Sequence, residues 1–157
     1  MDKLPMTREG LQALEDELKR LKAVDRPAVI QAIAEARAHG DLSENAEYDA
    51  ARDKQGFIEG RIAELEAAIS LAEVIDTSAM AGDTVRFDAW VVLADEDTGK
   101  EVTYRIVGQH EADLEKGKIS VTSPLARALI GKSAEDSVEV AAPGGSKAYE
   151  ICEIRYK

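Results

Sequence analysis

Apolar residues follow two different rhythms along this chain, helical up to Ile75 and alternating beyond Gly82. Leu11, Leu14, Leu18 and Leu21 recur at the three- and four-residue spacing of a coiled-coil seam, with Glu15, Asp16, Glu17, Lys19, Arg20 and Lys22 on the other faces. Thr7 supplies an N-cap for this helix, and Met6 and Leu11 stand where a hydrophobic staple closes over it. Pro27 removes a backbone donor and crowds the preceding turn at a cost of ~3 kcal/mol or more, which predicts a kink or brief break at Asp25 and Arg26. Periodicity resumes with Val29, Ile30, Ile33, Ala34 and Ala36 and stops at His39 and Gly40, the latter a natural C′ residue. A second seam runs through Tyr48, Ala51, Gln55, Ile58, Ile62, Leu65, Ile69 and Ala72 and ends near Val74 and Ile75.

Two helices of about 30 residues joined by so short a connection must fold back on each other. Residues 8–75 are therefore read as a long antiparallel helical hairpin, about 45 Å from base to turn at ~1.5 Å rise per residue. Two helices bury only one narrow stripe, so much of this length is expected to project into solvent.

After Gly82 the pattern changes to period two. Val85, Phe87 and Ala89 alternate with polar residues, the run from Trp90 to Leu93 is apolar, and Val102, Tyr104 and Ile106 alternate again across a turn at residues 95–99. Ser123 and Pro124 read as the N-cap and first residue of a short helix with Leu125 and Leu129 on its apolar face and Gly131 as its C′ residue. Val138 and Val140, the turn Pro143-Gly144-Gly145-Ser146, and then Tyr149, Ile151, Ile154 and Tyr156 predict a closing hairpin. The fold class is α+β, with an N-terminal hairpin over residues 1–77 and a small α+β domain over residues 78–157.

Charge narrows the function classes. A formal net charge of −11 argues against holding nucleic acid by blanket phosphate neutralisation, which needs a basic surface. A basic protein groove or a bound cation suits this excess of carboxylates better. The single cysteine, Cys152, excludes an intrachain disulfide and fits a reducing compartment. With no apolar run near the ~20 residues that span a bilayer and no charged start followed by an apolar h-region, the reading is a soluble, cytoplasmic protein.

The turn of the hairpin, residues 40–49, concentrates acid: Asp41, Glu44, Glu47 and Asp49 lie within nine residues. One reading is structural, a capping box with Asp41 as N-cap and Glu44 at N3, the further acids favouring the positive end of the helix dipole. The other is chemical. Two carboxylates three residues apart at a helix start can aim at one point, and Mg²⁺ often takes only one or two protein carboxylates, completing its octahedron with water and phosphate. Such a pair makes no tight site alone, but it can complete one whose other ligands belong to a partner. Leu42 between them is unusual at an exposed tip.

The stretch Glu35-Ala36-Arg37-Ala38-His39-Gly40-Asp41-Leu42-Ser43-Glu44-Asn45-Ala46-Glu47-Tyr48 closely resembles the tip of the bacterial Gre transcript cleavage factors. The similarity extends to Met6-Thr7, Gly56-Phe57, Gly60-Arg61-Ile62, Tyr104-Arg105-Ile106-Val107-Gly108, Ser123-Pro124-Leu125-Ala126-Arg127 and Pro143-Gly144-Gly145, and so covers essentially the whole chain. The resemblance implies an N-terminal coiled coil and a C-terminal domain similar to FK506-binding proteins. It further implies a transcription elongation factor, not itself an enzyme, that inserts its tip through the secondary channel of RNA polymerase and stimulates the polymerase's own endonucleolytic cleavage of backtracked nascent RNA, rescuing arrested complexes.

By the same resemblance Asp41 and Glu44 are the catalytic and metal residues, helping to hold the second Mg²⁺ and to orient the attacking water at the 3′ end of the RNA, within a site otherwise built by the polymerase. The isolated protein, taken as a monomer, is then expected to bind Mg²⁺ only weakly. Arg37 and Arg52 flank the tip and resemble the family's RNA-facing basic residues, although a solvated helix face explains them as well. Ser123 and Pro124 lie where the family's C-terminal domain contacts the polymerase at the channel rim, although helix capping also explains them. Tyr48 is read as packing. Prolyl isomerases use a pocket lined by aromatics, which this module has too few of, so its second domain is read as a docking domain. Two other classes remain open on the residues: an inhibitory relative that occupies the same channel, and a chaperone or isomerase with the hairpin as an arm.

Overall fold

The computed structural model describes residues 3–40, 45–75 and 84–156. They divide into two compact units, one formed by residues 11–71 and the other by the described residues up to Gly10 and from Ala72 onward.

The helical unit carries most of α1 (Arg8–Arg20), a π-helical turn (Leu21–Asp25), α2 (Arg26–Ala38) and α3 (Ala46–Leu71). Pro27 sits in the first turn of α2, where its missing N–H costs least, and the strain expected there is absorbed by the π-helical turn just before it rather than by a break. Leu14, Leu21, Val29 and Ala36 are buried, as are Ala51, Ile58, Ile62, Leu65 and Ala68 of α3. The seams expected from spacing are therefore real, with two exceptions in α2: Ile30 is 52% exposed and Ala34 is exposed, because α2 turns only the Val29, Ile33 and Ala36 face inward. Arg26 grips Glu59 through two hydrogen bonds of 2.8 and 2.7 Å, Lys22 meets Glu66 at 2.8 Å, and Arg61 meets Glu17 at 2.7 and 2.9 Å. At the end of α2, Gly40 takes a φ of +104°, the left-handed conformation that glycine reaches without a Cβ penalty.

Helix α3 stops at Leu71, earlier than the periodicity predicts. Residues Ala72–Val74 instead form β2, which pairs in parallel with β1 (Leu4–Met6), matching Leu4 with Ala72 and Met6 with Val74. Thr7 then caps α1 as expected, its hydroxyl accepting from the Gly10 N–H at 3.0 Å.

The sheet unit holds five further strands, β3 (Trp90–Asp95), β4 (Glu101–Val107), β5 (Lys118–Ser120), β6 (Ser137–Ala142) and β7 (Gly145–Arg155), in the order β5-β4-β3-β7-β6. Within this five-stranded sheet the β4–β5 pairing is parallel and the others are antiparallel. Helix α4 (Pro124–Leu129) packs with this sheet, and Val91, Leu93, Ile106, Ile119, Ala126, Leu129 and Ile151 share one core. Residues 85–89 are not the strand their alternation predicts. Asp88 adopts a left-handed φ of +71°, and its carboxylate is held at 2.7 Å by the largely buried Arg105, whose guanidinium also lies 5.2 Å from the Trp90 ring centre. Val85 and Ala89 still reach the core, so the alternation marks burial without marking strand. The β6–β7 hairpin closes through Pro143 and Gly144 as expected. Among the described residues no helix is long and apolar enough to cross a membrane.

Candidate functional site

The predicted tip lies between the end of α2 and the start of α3. Asp41 and Glu44 themselves fall outside the described residues, and so do Leu42 and Ser43. What surrounds them is well defined. Helix α3 begins at Ala46 and its N-cap is Asn45, whose Oδ1 accepts from the Tyr48 N–H at 3.1 Å. Asn45, with Tyr48 at N3, thus caps α3, while the capping box expected of Asp41 and Glu44 lies outside the described residues. The Asn45 Nδ2 also donates to the Ala36 carbonyl at 2.7 Å, tying the start of α3 to the end of α2. A second contact spans the same gap: His39 Nδ1 lies 3.2 Å from Glu47 Oε2, an ion pair when the imidazole is protonated, with both side chains well exposed.

Arg37 and Arg52 come from different helices and converge on Tyr48. Their guanidinium carbons lie 5.9 and 5.8 Å from its ring centre, and the Arg52 Nη1 donates to the Tyr48 hydroxyl at 2.9 Å. Hydrogen bonding by Arg37, and then by Arg52, favours the phenolate and holds the Tyr48 phenol below the ordinary tyrosine range. Tyr48 is thus more than the packing residue expected. Both arginines also line a groove of about 250 Å³ whose other walls are Ile30, Ile33, Ala34 and Gln55. This arrangement can present two guanidinium groups, held by one ring, to an anionic strand.

No group of three or more His, Cys, Asp or Glu side chains that could hold a metal occurs among the described residues. A pair of hard oxygen donors at residues 41 and 44 suits Mg²⁺ only as a partial ligand set, the remainder coming from elsewhere. Ser123 and Pro124 lie in the other unit. The Ser123 hydroxyl donates to the Ser120 carbonyl at 2.7 Å and accepts from the Ala126 N–H at 3.3 Å, so it caps α4, with Pro124 exposed at the first helical position.

Asn45 and Tyr48 are the residues that sequence reasoning undervalued. A signal existed for the first: Asn immediately before the periodic run is a standard helix start, but the Asp-x-x-Glu pattern four residues earlier competed with it.

Residues 4–74 match a family model described as transcription elongation factor, N-terminal, and residues 80–156 match one described as transcription elongation factor, GreA/GreB, C-terminal. The chain belongs to the GreA/GreB transcription elongation factor family. Two transcription elongation factors GreA, from Acidiphilium cryptum and Rhodospirillum rubrum, are each 65% identical over 99% of this chain and 99% of their own length. A solved GreA/GreB factor from Nitrosomonas europaea is 23% identical over 98% of this chain and 100% of that one, with a TM-score of 0.45. Within the GreA/GreB family this chain is most like GreA, a transcription factor rather than an enzyme in its own right.

Proposed function

We propose that this factor acts on RNA polymerase, entering the secondary channel with α2 and α3 as an antiparallel hairpin and stimulating the polymerase to cleave backtracked nascent RNA. The observation that carries the reading is the closure of the helix pair at its turn. Asn45 reaches Ala36 and His39 reaches Glu47, which joins the end of α2 to the start of α3, the two elements between which the sequence carries the family-like Asp and Glu. Helix α3 alone spans 26 residues, about 39 Å at ~1.5 Å per residue, a length suited to a probe.

In this reading Asp41 and Glu44 contribute carboxylate oxygens to a Mg²⁺ shared with the polymerase and orient a water for attack on the phosphodiester. The cation, in a two-metal arrangement, would stabilise the entering and leaving oxygens. Arg37 and Arg52, organised by Tyr48, would face the RNA near its 3′ end. The sheet unit, similar in this proposal to FK506-binding proteins, would dock at the channel rim near Ser123 and Pro124. The factor would work as a cytoplasmic monomer and would bind Mg²⁺ weakly by itself, since two carboxylates leave most of the coordination shell to water; tight binding by titration calorimetry would contradict this.

The test uses stalled, backtracked polymerase with radiolabelled RNA. Shortening of the RNA is expected to be fast with polymerase and factor together, slow with polymerase alone, and absent with factor and RNA alone. Cleavage by the factor without polymerase, or no acceleration in the complex, would contradict the reading.

A further inference from the structure

We propose that the groove lined by α2 and α3 is a one-nucleotide subsite for the extruded RNA, seating a base on Ile30, Ile33 and Ala34 and the adjoining phosphate on Arg37 and Arg52; this rests on the reading, given above, that the helix pair meets backtracked RNA. Ile30 is the residue out of place. It is 52% exposed although the seam spacing predicts burial, and Ala34, one turn on, is exposed as well. With Ile33 and Arg37 they stand at positions i, i+3, i+4 and i+7 of one face of α2, and all four line the groove together with Arg52 and Gln55 of α3. An apolar stripe left open beside two guanidinium groups suits a ligand that is flat and apolar at one end and anionic at the other, which describes a nucleotide.

The charge of the groove runs against that of the chain. None of its six lining residues is acidic, in a protein of formal net charge −11. Farther along the helices Lys22, Arg26 and Arg61 are each paired with a glutamate. Arg37 and Arg52 have no carboxylate within salt-bridge distance among the described residues and are held by Tyr48 instead. A phenol steadies a guanidinium without cancelling its charge, so both cations stay available to a phosphate. Gln55 adds an amide that donates and accepts, suited to the edge of any base. At about 250 Å³ the groove lies below the ~300 Å³ at which pockets for drug-sized ligands begin, which fits a single base and not a longer stretch of RNA.

The test uses backtracked polymerase complexes whose extruded nucleotides are replaced one at a time by abasic residues, titrated with the unaltered chain, Ile30→Ala and Ile30→Leu. Alanine removes the apolar surface at an exposed helix position without loss of helix propensity, and leucine restores it. The half-saturating concentration of factor is expected to rise at least about 5-fold for Ile30→Ala and to return to within about 2-fold of the unaltered value for Ile30→Leu. One abasic position should weaken the unaltered chain by a similar factor. On that RNA Ile30→Ala should cause no further loss, since two changes to one contact do not add. Ile30→Ala should also leave the salt dependence of binding unchanged, whereas Arg37→Ala flattens it.

Normal half-saturation with an abasic residue at every extruded position would overturn the proposal. So would an Ile30→Ala loss of equal size on intact and abasic RNA, which would assign Ile30 to a contact with the polymerase. If the unaltered chain fails to speed cleavage at all, the reading of the helix pair itself fails and takes the subsite with it. If cleavage is normal and Arg37→Ala flattens the salt dependence while abasic RNA behaves as intact RNA, the base seat alone is wrong.

Discussion

The carboxylate of Glu111 accepts the backbone N–H of Thr7 at 3.1 Å across 104 residues of sequence, and its other oxygen takes the Thr7 hydroxyl. The Glu111 Oε2 also accepts the Gly108 N–H at 2.8 Å, and Thr7 is almost fully buried. One side chain thus joins the start of α1 to the turn after β4. Gly108 is required beside it, since a Cβ there would stand 2.3 Å from the Pro5 carbonyl oxygen. Replacing Glu111 with Ala leaves those donors without a partner and is expected to cost roughly 2–3 kcal/mol, the scale of hydrogen bonds to a charged group. Urea denaturation is the measurement, with a lowered midpoint expected; an unchanged midpoint would show that the link adds nothing.

Two phenols should titrate in opposite directions. Arg37, then Arg52, favours ionised Tyr48 and lowers its pKa, while burial raises that of Tyr156, whose hydroxyl donates to the Thr84 carbonyl. A lowered phenol stabilises the folded chain through its phenolate. That contribution is complete above the unfolded titration of tyrosine and is lost as the pH falls through the lowered folded value. Ultraviolet difference titration should show an early-ionising phenol in the unaltered chain that disappears in Tyr48→Phe and moves upward in Arg37→Ala. Persistence of the early step in Tyr48→Phe would contradict the assignment.

Ser123 offers a way to divide capping from docking. Ser123→Ala removes both hydroxyl bonds and should lower stability by about 1 kcal/mol, read as a fall in the thermal midpoint. Ser123→Asp retains the cap acceptor and should restore most of that loss. Weaker polymerase binding in the Asp variant, at restored stability, is the expected mark of docking; full binding in both variants would assign Ser123 to capping alone.

The helical unit was largely legible because Leu14, Leu21, Ile58, Ile62 and Leu65 carry their burial in their spacing, a local and repetitive signal. Ser123, Pro124 and the turn at Pro143 and Gly144 were legible for a similar reason, since their backbone chemistry is specific to one place in an element. Pairing of Leu4–Met6 with Ala72–Val74 was not: three residues carry no period, and partners nearly 70 positions apart leave no local mark. The apparent strand at residues 85–89 failed because the Arg105–Asp88 contact bends the chain there, a tertiary effect that overrides alternation. At the site, the acids were conspicuous by composition, whereas Asn45 was not, because its part depends on a carbonyl nine residues back. Arg37 and Arg52 were legible as a basic pair flanking the tip, but their meeting on Tyr48 required the helices to be placed side by side.

The central claim is that Asp41 and Glu44 promote RNA cleavage inside the polymerase. It is tested most directly by the rate of RNA shortening in backtracked complexes saturated with factor, comparing the unaltered chain with Asp41→Asn plus Glu44→Gln. The account predicts that the double variant binds the polymerase as tightly as the unaltered chain, yet leaves cleavage at the rate of polymerase alone. Cleavage at the unaltered rate by the double variant would contradict it.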